Sequence, residues 1–475
     1  MSKTGELLKN TLILGLGQMT TMLISLILLP LYTVYLSPSE YGFIDLFITY
    51  IALLIPIMTI QLDRSAFRYL VEARDDNIKK IKIISTTIFT VSYVVTLCLI
   101  LYLIAGLFFN IQYFSIIPFT IVSAVYSGLL LQIARGLGRN SVFAKGSIVS
   151  GLMTLTATLL LVVWQKLGIP GMLISITLSN VVSAIYIFFA LKLHKLIKYS
   201  AQDKSINREM IKYSLPLVPS VLSWWIINVS DRSIITIFLG IAANGIYAVA
   251  NKYALIFMAI YSVFDMSWTE SASLHINSKD KDHFFTRIYN TNLRLFGSLG
   301  AILIATMSII FPIFTADQFN ESYNYIPILV IAAFFNSIVA MFSVVYIAKK
   351  LTNKVLATSI TAATINLVVN LLLIKFIGLY AAGISTLIAF FAMAVFRGYD
   401  IRKYVNISYE VSVIGRIVLL YACVVSCYYI NQPIINMLSI CIALTSAYLL
   451  NKTLIGSIFQ KGASSLRLKF ANRSI

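Results

Sequence analysis

The stretch Tyr213–Tyr253, YSLPLVPSVLSWWIINVSDRSIITIFLGIAANGIYAVANKY, is two apolar runs joined by a short break at Gly240–Gly245. The first run is long enough to cross a bilayer, for which about 20 helical residues suffice. Asp231 and Arg232 nevertheless lie well inside it. A central Asp or Arg costs about 2.5–3.5 kcal/mol on insertion scales, so such residues turn towards a bundle interior or a wet cavity. Adjacent residues on a helix point about 100° apart and cannot simply neutralise each other. Each therefore needs its own partner: another helix, water or a ligand. The second run carries Lys252. From the break, Asp231 is nine residues back (240 − 231) and Lys252 seven residues on (252 − 245). At about 1.5 Å per residue, two antiparallel helices hold them at similar depth. A polar, charged layer inside a membrane protein is the expectation.

The rest of the chain agrees with membrane residence. Its 475 residues are 59% hydrophobic and only 12% charged, and the mean hydropathy is +0.88. That composition excludes an ordinary soluble domain. A net charge of +19 raises the possibility of a nucleic-acid partner, but the basic residues cluster in the breaks between apolar runs. That is the positive-inside pattern, and no nucleic acid is expected. Cys98, Cys423, Cys427 and Cys441 all sit within apolar runs, with no disulfide or metal-ligand framework. The first apolar run lacks a small-residue cleavage site and reads as a retained helix.

Runs of about 18–25 apolar residues predict fourteen spans. They cover approximately 11–36, 41–62, 83–109, 113–134, 146–165, 169–191 and 213–239 in the first half. The second half supplies 245–268, 295–316, 324–348, 355–376, 379–396, 413–430 and 434–450. One set of breaks holds nearly all the cations, including Arg64 to Lys82, Arg135 to Lys145, Lys192 to Lys212, Lys279 to Arg294, Lys349 to Lys354, and Arg397 to Lys403. A basic tail from Lys452 to Arg473 joins them, whereas the opposite breaks hold only Lys166 and Lys375. Both termini are therefore expected in the cytoplasm.

The chain also repeats itself. Leu36-Ser-Pro-Ser-Glu-Tyr-Gly42 aligns with Leu239-Gly-Ile-Ala-Ala-Asn-Gly245, and Leu137–Ser175 resembles Leu351–Ser385. The offset corresponds to six spans, an even number, so the two copies run in the same direction through the membrane. The expected architecture is an all-α integral membrane protein of about 14 transmembrane helices. Residues 1–200 form one six-helix lobe and 201–403 a second. Residues 404–475 add two further helices and a basic tail. The lobes should enclose a cavity bordered by spans one, two, seven and eight.

This pattern resembles the Wzx-type polysaccharide and O-antigen flippases of the multidrug/oligosaccharidyl-lipid/polysaccharide exporter superfamily. The segments that carry the resemblance are YLSPSEYGFIDLF after the first span, QLDRSAFRYL after the second, and NVSDRSIITIFLGIAANGIYAVANKY across the seventh and eighth. The resemblance implies a substrate of undecaprenyl-diphosphate-linked oligosaccharide repeat units, destined for O-antigen, capsule or exopolysaccharide. They would move from the cytoplasmic to the periplasmic leaflet of a bacterial inner membrane by alternating access. It implies membrane lipids, a coupling H+ or Na+ and other polysaccharide-assembly proteins as partners, with no cofactor and no enzymatic chemistry.

Arg232 and Lys252 are placed to hold a diphosphate or sugar acid, and Arg suits phosphate because its planar fork donates two parallel hydrogen bonds. The bland alternative is an ion-pair network, including Asp231, that ties spans seven and eight together. Arg64 and Arg68, at the cytoplasmic end of span two, would form a basic vestibule or else simply a solvated helix end. Asp63, Asp231 and Asp265 are candidates for ion coupling, with Glu270 an ordinary helix-end carboxylate. The RGLGRNSVFAKG turn lacks the strand–turn–helix setting of a phosphate loop. Trp224 and Trp225 read as sugar-stacking or packing residues, and Trp164 and Trp268 as interface-belt residues. His194, His275 and His283 lie in or near cytoplasmic loops, and no catalytic or metal-binding arrangement appears.

Other functions fit less well. A membrane polysaccharide polymerase generally needs a sizeable outward loop, and the longest outward break is Ala316–Tyr323. A drug or cation antiporter of the same superfamily usually has twelve spans and acidic cavity residues. A peptidoglycan lipid-precursor flippase differs least from the favoured reading.

Overall fold

The computed structural model describes residues 24–349 and 351–471. Residues 11–23 of the expected first span, Lys350 and Arg473 lie outside the described residues, as do the side chains of Trp224, Glu270 and residues 457–471. Within the described residues every regular element is helical. Without water to bond to, a bilayer-spanning chain satisfies its peptide groups internally, and helices do so within each span.

The chain begins with α1 (Ile24–Tyr35), α2 (Pro38–Thr59), a short α3 (Leu62–Glu72) and α4 (Asn77–Phe108). It continues through α5 (Ile117–Gly136), α6 (Asn140–Thr158) and α7 (Gly168–Ala190), then α8 (Lys204–Ser214) and α9 (Leu217–Leu239). A long α10 (Ile241–His275) leads to α11 (Lys281–Phe314), α12 (Ile326–Ala348), α13 (Thr352–Ile377) and α14 (Tyr380–Asp400). The last pair is α15 (Val411–Ile430) and α16 (Pro433–Ala471). Twelve stretches among the described residues are long and apolar enough to span a membrane. With α1 and α9, which fall where the first and seventh spans were expected, the protein is an all-α integral membrane protein of about 14 helices. Large apolar side chains stand outward, Leu107 at 82% exposure and Phe376 at 84%. In a bilayer such faces meet lipid.

By compactness the described residues fall into two units, divided within α10 between Ala248 and Val249. In the first unit α3, α4 and α5 share a core built on Leu62, Leu70, Ile84, Val91, Leu129 and Ile133. In the second, Phe257 and Tyr261 pack edge-on against Phe296. Helices α10 and α11 have 35 and 34 residues. At 1.5 Å per residue each is about 50 Å long, well beyond a hydrocarbon core of about 30 Å. Both outrun the spans expected from hydropathy because the added turns, Thr269–His275 of α10 and Lys281–Arg294 of α11, are rich in polar and charged residues.

Span two also ends differently from expectation. The chain breaks after α2 at Ile60 and Gln61, both in the left-handed region with φ of 49° and 54°. The residues read as its charged end form α3, a separate amphipathic helix. Its buried stripe is Leu62, Ser65, Ala66 and Leu70, at helical spacing. The Ser65 hydroxyl donates to the Met210 carbonyl of α8 at 3.2 Å.

Candidate functional site

The start of α2 is fixed by local chemistry. Ser37 and Glu40 form a capping box: the Ser37 amide donates to Glu40 Oε2 at 2.8 Å, and the Glu40 amide donates to Ser37 Oγ at 3.3 Å. Pro38 occupies the first turn, where its missing N–H costs nothing. The SPSE portion of the YLSPSEYG segment is thus a helix start signal.

One turn further on, α2 meets the start of α10 backbone to backbone. A Cβ on Gly42 would lie 2.0 Å from the Ile241 carbonyl oxygen, and one on Gly245 would lie 2.0 Å from the Pro38 carbonyl oxygen. Only glycine permits that approach. These are the two glycines that the internal alignment pairs, and they touch each other's helix. Asn244, fully buried, donates from Nδ2 to the Gly42 carbonyl at 2.9 Å.

Immediately inside this crossing lies the charged layer. Arg232 on α9 donates from Nε to Asp45 Oδ2 on α2 at 2.6 Å, with only 11% and 15% of the two side chains exposed. Asp231, 4% exposed, accepts a hydrogen bond from the Tyr247 hydroxyl of α10 at 3.3 Å. The neighbours Asp231 and Arg232 thus point to different helices, as their 100° separation requires. Below them, Trp225 Nε1 donates to the Thr49 carbonyl at 2.8 Å, and Tyr50 and Ser233 share a hydrogen bond at 3.1 Å. Trp225 is therefore a packing residue, tying α9 to α2.

Asp45 and Tyr247 were not among the sequence candidates. Asp45 had a legible signal: it is a carboxylate four residues inside the expected span 41–62, and an ionisable residue within a span calls for a partner. Tyr247 had none, since a tyrosine in a span has many ordinary uses.

The other candidates lie elsewhere. Asp63, Arg64 and Arg68 occupy α3, beyond the far end of α2. Fourteen residues of α2 separate Asp45 from Thr59, so the two groups are about 20 Å apart or more along that helix. Asp63 is half-buried and accepts from the Thr59 hydroxyl at 3.2 Å. Loss of water holds its carboxyl above the usual range, against the opposing pull of Thr59 and Arg64. Arg64 is exposed, and Arg68 pairs with Glu72 at 2.9 Å on an exposed face. Lys252 and Asp265 belong to the second compact unit, where Tyr261 donates to Asp265 at 3.5 Å.

Two expectations in the second unit need correction. Trp268 is buried at 3% exposure and donates to the Met341 carbonyl at 3.2 Å, so it is a core residue and not an interface-belt residue. Arg397, counted among the loop cations, is a helical residue of α14 only 1% exposed. It was misassigned because α14 continues to Asp400, four residues past the expected end of the span at 396.

The sequence matches the model of a family described as polysaccharide biosynthesis protein over residues 7–268. No curated relative matches the sequence. The fold is similar to that of the lipid II flippase MurJ in an inward closed conformation, with a TM-score of 0.69 at 18% identity, covering 94% of this chain and 100% of that one. It is also similar to an inward-facing multidrug resistance MATE family transporter of the MOP superfamily, with a TM-score of 0.65 at 12% identity, covering 81% and 95%. The Vibrio cholerae MATE transporter VcmN, in a point-mutant form, gives 0.55 at 18% identity, covering 84% and 97%.

Proposed function

We propose, on the premise that the chain belongs to the polysaccharide biosynthesis protein family, that it is a flippase for lipid-linked oligosaccharides. It carries polyprenyl-diphosphate-linked repeat units from the cytoplasmic to the periplasmic leaflet of a bacterial inner membrane, by alternating access. Both termini are cytoplasmic in this reading, and the basic loops face the same way. The likeness of the fold to that of the lipid II flippase MurJ supports the substrate class.

The observation that carries the reading is the buried Asp45–Arg232 pair on two membrane-crossing helices. A diphosphate cannot cross hydrocarbon bare, because burying unpaired charge is prohibitively costly. A flippase must offer counter-charge inside the membrane and must keep that charge neutralised when empty. Asp45 supplies the resting counter-charge for Arg232, and a phosphate oxygen of the substrate takes its place. Arg64 and Arg68 make the first contact on the cytoplasmic side. Protonation or ion binding at Asp63, Asp231 or Asp265 weakens the hold and couples release to an ion gradient. The polyprenyl tail stays in lipid throughout.

Deletion of the gene followed by analysis of lipid-linked sugars tests the function. Complete repeat units should accumulate on the cytoplasmic face while surface polymer is lost. Accumulation on the periplasmic face would instead indicate a polymerase, and unchanged polymer with depleted peptidoglycan would indicate a peptidoglycan-precursor flippase.

A further inference from the structure

Arg397 poses a problem that the transport reading does not absorb. Its guanidinium is buried among α12, α13 and α14, and all its hydrogen bonds go to uncharged oxygens. Nε and Nη2 both donate to Thr358 Oγ1, at 3.0 and 2.7 Å. Nη1 donates to the Val339 carbonyl at 3.2 Å and to Ser343 Oγ, and Nη2 to the Val355 carbonyl at 3.3 Å and Ser359 Oγ at 3.2 Å. Among the described residues no carboxylate forms an ion pair with it. The nearby Asp400 is already shared by two lysines, Lys354 at 2.7 Å and Lys403 at 2.9 Å. Arg397, Lys354 and Lys403 thus gather around one carboxylate, so among the described residues this end of α13 and α14 is net positive.

Directly beside that charge a cavity of about 400 Å³ opens between α13 and α14. Lys354, Asp400 and Thr358 line one end of it. Apart from Thr361 the rest is apolar, made by Ala357, Ala362, Ile365, Ala392, Met393 and Phe396. It stays open because alanines stand where larger residues would close the helix seam. Phe396 is 55% exposed, so the cavity communicates with the lipid-facing surface. From Lys354 to Ile365, its furthest lining residue on α13, is eleven residues. At 1.5 Å per residue that is about 16 Å, the thickness of one hydrocarbon leaflet at half of about 30 Å.

We propose that this groove is a binding site for an anionic phospholipid of the basic-loop leaflet: one acyl chain lies between α13 and α14, and the headgroup phosphate sits at Lys354. The dimensions select an acyl chain of a single leaflet, and the cationic end selects a phosphate with no compensating amine. Thr358, which lines the groove and accepts twice from Arg397, brings the buried guanidinium's field to the groove wall. The headgroup phosphate adds negative charge where Asp400 alone faces several cations. The site is separate from the Asp45–Arg232 layer, and its occupation does not depend on what the protein transports.

The test uses the full-length protein. Native mass spectrometry of the wild type, supplied with phosphatidylglycerol, phosphatidylcholine or inorganic phosphate, reads retained adducts. A photoreactive phosphatidylglycerol in mixed phosphatidylglycerol–phosphatidylcholine vesicles locates the site. Phosphatidylglycerol should be retained in preference to phosphatidylcholine, phosphate alone should not, and crosslinks should fall on α13 and α14. Lys354→Gln should lower the preference about fivefold, the weight of one basic residue at an anionic lipid surface, while Lys354→Arg keeps it. Ala392→Leu, which fills the groove without touching a charge, should abolish the α13–α14 crosslink in protein that still elutes as a single species. Equal retention of the two lipids, phosphate binding as tight as the lipid, or crosslinks to α13 and α14 that survive Ala392→Leu would each overturn the proposal. The wild-type lipid comparison stands even if a variant misfolds.

Discussion

At the scale of single residues, the Asp45–Arg232 pair can be separated into structural and transport roles. Removing one partner of a buried ion pair strands the other and typically costs about 3–5 kcal/mol, whereas replacing both with apolar residues is often near neutral. Asp45→Leu and Arg232→Met alone should each sharply lower the thermal midpoint, and the double variant should recover most of it. If the pair is only structural, the stable double variant also restores surface polymer. The transport reading expects it to remain without polymer, and expects Arg232→Lys to keep part of the activity, since lysine preserves charge but loses the fork. Asp63 makes a separate pH prediction. Its carboxyl is raised in the folded protein above the usual 3.8, so the folded state holds its proton more tightly than the unfolded chain. That group's stabilising effect is present while the pH is below the usual value and is lost as pH rises through the folded one. Above both, ionised Asp63 is a fixed penalty. Asp63→Asn should therefore be more stable than wild type at neutral pH, and the difference should shrink on acidification. Melting the two proteins across pH measures it; a gap that widens in acid contradicts the assignment.

At the scale of elements, the contact between α2 and the start of α10 tolerates no side chain. Gly42→Ala and Gly245→Ala each drive a methyl to 2.0 Å from a backbone oxygen, which only separation of the helices relieves. Each should cost several kcal/mol, in the range of severe core overpacking. Gly240→Ala is the control for a glycine free of such contacts: nothing lies within 4 Å of its added Cβ, although its φ of 92° brings backbone strain. Yield and thermal midpoint of the purified proteins should rank Gly240→Ala well above the other two. The break between α2 and α3 is the opposite case, where a glycine is missing. Left-handed conformations cost an ordinary residue about 1–2 kcal/mol, and Gln61 adopts one with its Oε1 buried and unbonded. Gln61→Gly should raise the midpoint, and a lowered one would show that Gln61 packing outweighs the strain.

At the scale of the whole molecule, the charge asymmetry makes a topological claim. Gln318 precedes α12 and Asn431 separates α15 from α16, and both are exposed. Cysteines placed at either, in a background where Cys98, Cys423, Cys427 and Cys441 are replaced, should react with an impermeant thiol reagent applied from the periplasm. Cysteines at Lys195 or Asp280 should not. Reaction of the reverse set alone would invert the orientation and with it the direction of transport. Depth matters here as well as sidedness: α10 and α11 run about 50 Å, so their charged ends should extend past the headgroups on the basic side.

Membrane residence, the helical class, the number of spans and the need of Asp231 and Arg232 for separate partners were all decided by the chain's local composition. Each is a sum of transfer free energies and helix angles over some twenty consecutive residues, and such sums need no knowledge of the fold. Which side chains became the partners was decided only by tertiary packing. Asp45 meets Arg232 across 187 positions of sequence because two glycines let α2 and α10 approach to backbone contact and α9 packs beside them. Arg397 was hidden from the sequence for a related reason. Hydropathy counts it as a loop cation, and only α12 and α13 closing on α14 supply the oxygens of Val339, Ser343 and Thr358 that let a guanidinium stay buried.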